Sequence, residues 1–311
     1  MDTALMQTSA GLPAQVLTSN DLFAQFLRFI DASAPTAKTY TRALRRFFQW
    51  LADRGIRQPK DDDVIAYRDA LRATMKPTTT QLYMTAVRLF FRWTARQGIY
   101  PNIADHLKGA RLTREHRKEP LSAAQAHKVL MLAKQDTSLT GLRNYALLAV
   151  MLTGGLRTIE AVRANVSDIS TIGDDPVLWI QGKGHQEKDR YMHLEPQVLE
   201  ALNAYLNARH AKADEPLFAS NANRNRDGRV TTKTISITIK QALVDAGYES
   251  ARLTAHSTRH TAITLALMAG DSLDDVRQFA GHTNISTTEI YNHALTRAKS
   301  RCEHHIAEAI F

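Results

Sequence analysis

A near-repeat in the first third of the chain restricts its fold more than any other feature. Residues 43–56 read A-L-R-R-F-F-Q-W-L-A-D-R-G-I and residues 86–99 read A-V-R-L-F-F-R-W-T-A-R-Q-G-I, an offset of 43 residues. Apolar residues three and four apart call for an amphipathic helix, and Gly-Ile at the end of each copy marks a glycine stop. Two copies are too few for a solenoid, so they predict two related helical hairpins in one small bundle. The surrounding pattern is helical from about Ser19 to Asp105. Ser19-Asn20-Asp21 offers a cap before Leu22, Thr36 or Thr39 opens the helix of the first copy, and Asp61 to Asp63 start a shorter helix through Leu71. Pro77 precedes the helix of the second copy, which Gly98 and Pro101 end. The aromatics at helical spacing are core residues. Arg42, Arg45, Arg46, Arg88, Arg92 and Arg96 lie off that apolar stripe and form a basic surface suited to DNA phosphates, with a solvated face as the plain alternative.

The remainder changes character. Lys108 to Lys118 carries five basic residues, one acid and little hydrophobicity, the composition of an exposed linker. Beyond Pro120, Ser122 caps a helix through Leu132, and Leu142–Leu152 is apolar enough to be a buried helix. Arg157 opens the next helical stretch. Val177–Ile180 and Tyr191–Leu194 are strand-like, and the polar, glycine-containing run between them predicts a hairpin with Lys183 near its turn. Helix resumes at Pro196 and runs through Ala208. The expected fold is therefore mainly α and two-domain: a tail over 1–18, a helical domain over 19–106, a basic linker over 107–119, and a mostly α domain with a small antiparallel sheet over 120–311.

Lys and Arg number 40 against 31 Asp and Glu, giving a net charge of +9. Such an excess suits a polyanionic partner. Cys302 is the single cysteine, which excludes an intrachain disulfide and a cysteine-based zinc site. No apolar run approaches the ~20 residues of a membrane span, and the N-terminus has no secretory apolar segment. A reducing, cytoplasmic setting fits.

The chemistry concentrates in the second domain, in T-G-G-L-R (153–157), G-K-G (182–184), H-S-T-R-H (256–260), G-H (281–282) and I-Y-N-H (290–293). Two arginines can grip non-bridging phosphoryl oxygens with planar, permanently charged forks. His256 lies three residues before Arg259, on the same face of a helix, and its imidazole can accept a proton near pH 7. His256 and His260 are four apart, as in helical zinc pairs, but lack the glutamate of H-E-x-x-H. A basic side chain of the hairpin could protonate a leaving oxygen, and the residues alone leave Lys183, Lys188 and Arg190 open. Tyr291, nine positions after His282, could attack phosphorus.

These motifs, in this order and spacing, resemble the tyrosine recombinase (phage-integrase) family over most of the chain. The resemblance implies that Tyr291 is the nucleophile and that Arg157, Lys183, His256, Arg259 and His282 complete the site, with Lys183 in G-K-G as the general acid and Lys188 as a phosphate contact. It implies a site-specific DNA recombinase that cleaves and rejoins strands through a 3′-phosphotyrosyl link and a Holliday junction, with neither metal, ATP nor other cofactor. The implied partners are double-stranded DNA target sites and further copies of the chain, assembled as a tetramer on DNA, with the segment after Tyr291 docking on a neighbour. Accessory DNA-bending proteins are left open. Thr158-Ile159 and Ala161 depart from the usual pattern after the arginine and bear on subfamily. The chain starts directly at the helical domain, as in simple Xer-like or mobile-element recombinases. The rivals are a type IB topoisomerase, which uses nearly the same phosphate site, and a DNA-binding protein without activity.

Overall fold

A computed structural model describes residues 20–107, 119–182, 184–222, 225, 228–299, 306–308 and 310. The expectations for the tail over 1–18, for the basic segment 108–118, for Lys183 and for most of the chain beyond Lys299 fall outside the described residues. The chain divides into two compact units, Met1–Thr113 and Arg114–Phe311.

In the first unit, α1 (Asn20–Phe29), α2 (Ala34–Ala52), α3 (Asp61–Thr74) and α4 (Pro77–Arg96) form a bundle. Helix α2 starts ahead of Thr36 and Thr39, because Ser33 occupies the N-cap position and Pro35 falls in the first turn, where its fixed φ and missing N–H carry no penalty. Helix α3 runs three residues past Leu71. Its N-terminal aspartates face the positive end of the helix dipole, and Asp63 accepts from the Lys60 N–H at 2.7 Å.

The sequence repeat is also a repeat of structure. Gly55 and Gly98 both adopt φ of +67°, a left-handed value that costs any other L-residue. After each, the chain closes the same bonds: Ile56 N–H donates to the Leu51 carbonyl and Ile99 N–H to that of Thr94, as in a Schellman stop. The rings obey the same relation. Phe47 meets Phe91 edge-on at 5.9 Å and Phe48 meets Phe90 edge-on at 5.4 Å, so exchanging the two copies converts one contact into the other. A local pseudo-two-fold axis between α2 and α4 follows. Phe26, Met84 and Tyr67 fill the rest of the core. The symmetry is imperfect, since Trp93 is buried and Trp50 half-buried.

The second unit opens with α5 (Ala123–Ala133), whose cap is reciprocal: Ser122 Oγ accepts from Gln125 N–H, and Ser122 N–H donates to Gln125 Oε1. Helix α6 (Leu139–Thr153) is wholly apolar and buried from Ala146 to Leu152, as the centre of a core helix must be. Short α7 (Thr158–Arg163) leads through a 3₁₀ turn to β1 (Ile169–Ile172), β2 (Asp175–Ile180) and β3 (Arg190–His193). The three strands form an antiparallel sheet in that order, with Ile169 opposite Leu178 and Trp179 opposite Tyr191. Strand β1 gave no sequence signal, because its residues Ile-Ser-Thr-Ile are largely exposed. Helices α8 (Pro196–Arg209), α9 (Thr232–Asp245), α10 (Ala255–Ala269), α11 (Leu273–Ala280) and α12 (Ser286–Lys299) complete the unit. Leu147, Leu178, Leu202, Ile235 and Ile239 lie at the centre of its core. Among the described residues no helix is long and apolar enough to cross a membrane.

Candidate active site

The site is built around the C-terminal end of α11. A helix ends with carbonyls that have no intrahelical donor and with the negative end of its dipole, and here three successive carbonyls each receive an arginine. Arg190 donates to the Phe279 carbonyl, Arg259 to that of Ala280, and Arg157 Nη2 to that of Gly281 at 3.2 Å. The three arginines come from β3, α10 and the residue just before α7, so segments far apart in sequence meet on one turn. Gly281 closes the helix at φ +59°, and a Cβ there would stand 3.0 Å from Arg190 Nε. The turn thus needs glycine both for its conformation and for the arginine packed on it.

Each arginine has a second anchor. Arg259 Nη1 donates to the Gly155 carbonyl at 2.7 Å, and the side chain is only 1% exposed. Gly155, in T-G-G-L-R, has φ +58°, and a Cβ there would crowd the Phe279 ring at 3.1 Å. Arg157 Nη1 donates to Glu160 Oε1 at 2.8 Å, and its backbone N–H donates to Oε2 at 2.8 Å. Arg190 Nη2 takes the same Oε2 at 2.9 Å. Glu160 is fully buried and therefore serves two guanidiniums at once. Burial and the neighbouring Arg157 charge lower Arg259 from the ordinary guanidinium range to about 10, which leaves it a cation at neutral pH. Burial likewise lowers Arg190.

Tyr291 is 6% exposed, on α12, packed on Ile263, Val276 and Ala280. Burial pushes its phenol up to about 12, against the opposing pull of the Arg259 and Arg157 charges. Two imidazoles face its ring: His260 at 5.1 Å between centroids, and His282, nearly parallel, at 6.4 Å. His256 is exposed and meets His260 edge-on at 4.6 Å. His282 Nδ1 is 2.9 Å from the buried Thr288 hydroxyl, which fixes the ring and leaves Nε2 as its other polar edge. A cavity of about 1180 Å³ opens beside this cluster, bordered by Arg157, Arg190, Gly281, His282, His185 and Arg277. Among the described residues no three His, Cys, Asp or Glu side chains form a metal-sized group.

The structure therefore brings Arg157, Arg259, His282 and Tyr291 together, with His256 linked to them through His260. Lys183 lies outside the described residues, but its neighbour Gly182 is held: its carbonyl accepts from Arg163, at the end of α7, at 3.0 Å. Lys188 forms an ion pair with the buried Asp168 carboxylate. In the first unit Arg42, Arg45, Arg46 and Arg92 are exposed, whereas Arg88 is half-buried and spends its guanidinium on the Leu107 carbonyl and the Thr85 hydroxyl. From the sequence Arg190 stands only as a rival to Lys183 in the hairpin, and His260 only as the neighbour of His256 in an incomplete zinc spacing. A signal for Arg190 existed. It lies two residues before the buried Met192 in β3, on the same inward face, where an arginine must find acceptors.

Residues 119–297 match the model of the phage integrase family, and residues 21–98 match its N-terminal SAM-like domain. The chain belongs to the phage integrase family. Among curated family members, the tyrosine recombinase XerC of Caldanaerobacter subterraneus subsp. tengcongensis is 34% identical over 155 residues, covering 49% of this chain and 41% of that protein. XerC of Chlamydia trachomatis serovar D is 32% identical over 201 residues, covering 64% of this chain and 61% of that protein. The chain thus spans from two-fifths to less than two-thirds of these relatives. The fold is that of the XerH site-specific recombinase bound to its palindromic difH substrate, at a TM-score of 0.74 and 19% identity over 92% of this chain and 85% of that one. The lambda integrase core-site complex, residues 75–356, matches at 0.64 and 16% over 86% and 94%.

Proposed function

We propose that this integrase-family chain is a site-specific DNA recombinase whose nucleophile is Tyr291. The observation that carries the reading is the meeting of Arg157, Arg259, His282 and Tyr291 at the α11 turn, beside a cavity wide enough for a phosphodiester. Tyr291 Oη attacks the scissile phosphorus, its proton passing to an imidazole (His256 or its neighbour His260), and the bond to the 5′ oxygen breaks. Lys183 supplies the proton that makes this oxygen a hydroxyl. The product is a 3′-phosphotyrosyl link, and attack by another strand's 5′ hydroxyl reverses the step. Because the phosphoester bond is exchanged rather than hydrolysed, no nucleotide is consumed. The guanidiniums provide the charge stabilisation that a divalent cation gives in other phosphoryl-transfer sites.

The phenol is buried, so engagement of DNA has to bring it to the cavity. The domain division of 19–106, 107–119 and 120–311 gives a helical half that grips the duplex through Arg42, Arg45, Arg46 and Arg92, and a catalytic half joined to it by a basic linker. Strand exchange would pass through a Holliday junction held by four copies, with the segment beyond Tyr291 docking between neighbours.

Covalent trapping on the DNA flanking the gene tests the reading. Cleavage positions are mapped from protein-linked 3′ ends, and Tyr291→Phe serves as the control. The wild type should leave a free 5′ hydroxyl at a defined site, and the variant should bind without linking. Lys183→Ala should be rescued when the bridging 5′ oxygen is replaced by sulfur, a leaving group that needs little protonation. Efficient relaxation of a supercoiled plasmid without such sites would point to a topoisomerase instead.

A further inference from the structure

Arg190 stands apart from the five residues that the family resemblance assigns by position and that the structure describes, yet it is bonded into the same frame as Arg157 and Arg259. Its two terminal nitrogens are committed, one to Glu160 Oε2 and one to the Phe279 carbonyl. It is 15% exposed and borders the cavity. Glu160, with no exposed side-chain surface, is the carboxylate that orients Arg157. A buried carboxylate paired with a single arginine would cancel that arginine's charge. Shared between two, it leaves net positive charge at the site.

We propose that Arg190 is a positioning residue for the reaction. It divides the Glu160 carboxylate with Arg157 and pins the α11 turn, so that Arg157 keeps an uncancelled charge for the non-bridging phosphoryl oxygens. The inference rests on the reading of this cavity as a phosphodiester site. The geometry also explains the choice of arginine over lysine. Only a planar fork can bridge a carboxylate on α7 and a carbonyl on α11 with separate nitrogens. Gly281 leaves the room for that fork, since its missing Cβ would press on Arg190 Nε. Glu160 and Arg163 lie three residues apart on α7, and Arg163 holds the Gly182 carbonyl. The six residues of α7 therefore tie both legs of the β2–β3 hairpin to the same frame that carries Arg157.

The test uses the full chain and a nicked duplex carrying the mapped cleavage site, made with either a phosphodiester or a methylphosphonate at the scissile position. The methylphosphonate lacks the negative non-bridging oxygen that Arg157 would meet. Arg190→Met should bind the duplex within about threefold of wild type and form the Tyr291 adduct roughly 100-fold more slowly on the phosphodiester. On the methylphosphonate the gap to wild type should shrink at least about tenfold, because the charge that Arg190 preserves is no longer needed. Arg190→Lys keeps the charge but loses the fork, and should fall between the two. If Arg190→Met fails to bind DNA, Arg190→Lys becomes the deciding variant under the same criterion. Cleavage of the phosphodiester at near wild-type rate, or an equal defect on both substrates, overturns the proposal. If the wild type itself forms no Tyr291 adduct, the recombinase reading fails. If it does and Arg190→Met is unaffected, only the role of Arg190 fails.

Discussion

Arg259→Met should leave the C-terminal unit folded while removing most of its cleavage activity. Arg259 is 1% exposed, and burial with the adjacent Arg157 charge lowers it from the ordinary guanidinium range to about 10. A guanidinium displaced that far is disfavoured by roughly 3 kcal/mol in its site. Against that stand its bonds to the Gly155 and Ala280 carbonyls, worth about 1.5–3 kcal/mol each as charged hydrogen bonds. Methionine loses the bonds and removes the buried cation. It fills much of the same volume with a flexible apolar chain, so relief from burying a cation stands against two carbonyls left without their donor. The two bonds together outweigh the cost of the buried cation by at most about 3 kcal/mol, or ~12 °C in the midpoint of a unit this size. Thermal unfolding at pH 7.5 followed by circular dichroism measures that, alongside single-turnover adduct formation. The adduct rate should fall about 100- to 1000-fold with DNA affinity nearly unchanged. A fall of more than ~15 °C, with activity tracking the folded fraction, would show that Arg259 is held for structure and refute the reasoning.

The pH dependence of adduct formation should identify how Tyr291 loses its proton. With the phenol pushed up to about 12, its ionised fraction at neutral pH is very small and grows about tenfold per pH unit. Transfer to an imidazole base instead gives a rate that climbs to about pH 7 and then levels; a log-linear rise continuing to pH 10 would dismiss the histidines as base. In the first unit, Arg45→Ala and Arg46→Ala should each reduce the slope of log affinity against log salt by about 1, with unfolding unchanged. Arg88→Ala should instead lower stability by roughly 1–3 kcal/mol, since its guanidinium is bonded to the Leu107 carbonyl and Thr85; urea titrations and salt series separate the two cases. Gly55→Ala and Gly98→Ala should each cost about 1–2 kcal/mol, additively, because both sit at φ +67° with open space around them. Unequal effects in urea unfolding would break the inferred equivalence of the two hairpins.

The bundle was legible because its signals are local. Phe-Phe at helical spacing, glycine stops and an aspartate-rich start lie within a turn or two of the elements they shape. The start of α2 was misplaced toward Thr36 because Ser33 and Pro35 compete with threonine for the same role, and proline settles the first turn. Strand β1 was illegible because it is an edge strand with mostly exposed residues, so it lacks the apolar alternation that marks a buried strand. At the site, the motif residues could be named from sequence, but not what holds them. Glu160, three residues after Arg157, is spaced for a single helical ion pair. The structure shows one carboxylate shared by two arginines, the second from a strand thirty residues on. The three carbonyls of the α11 turn carry no side-chain signature at all, since a backbone acceptor is available at every residue. Only the fold decides which of them meet guanidiniums.

The central claim is that Tyr291 becomes covalently joined to DNA. Trapping the full chain on a nicked duplex bearing the mapped site, digesting both polymers and sequencing the nucleotide-bearing peptide by mass spectrometry tests it directly. The wild type should yield a peptide containing I-Y-N-H with the nucleotide linked by its 3′ phosphate to Tyr291, and Tyr291→Phe should yield none. A link through another side chain, a 5′-phosphate link, or an undiminished adduct from Tyr291→Phe would contradict it.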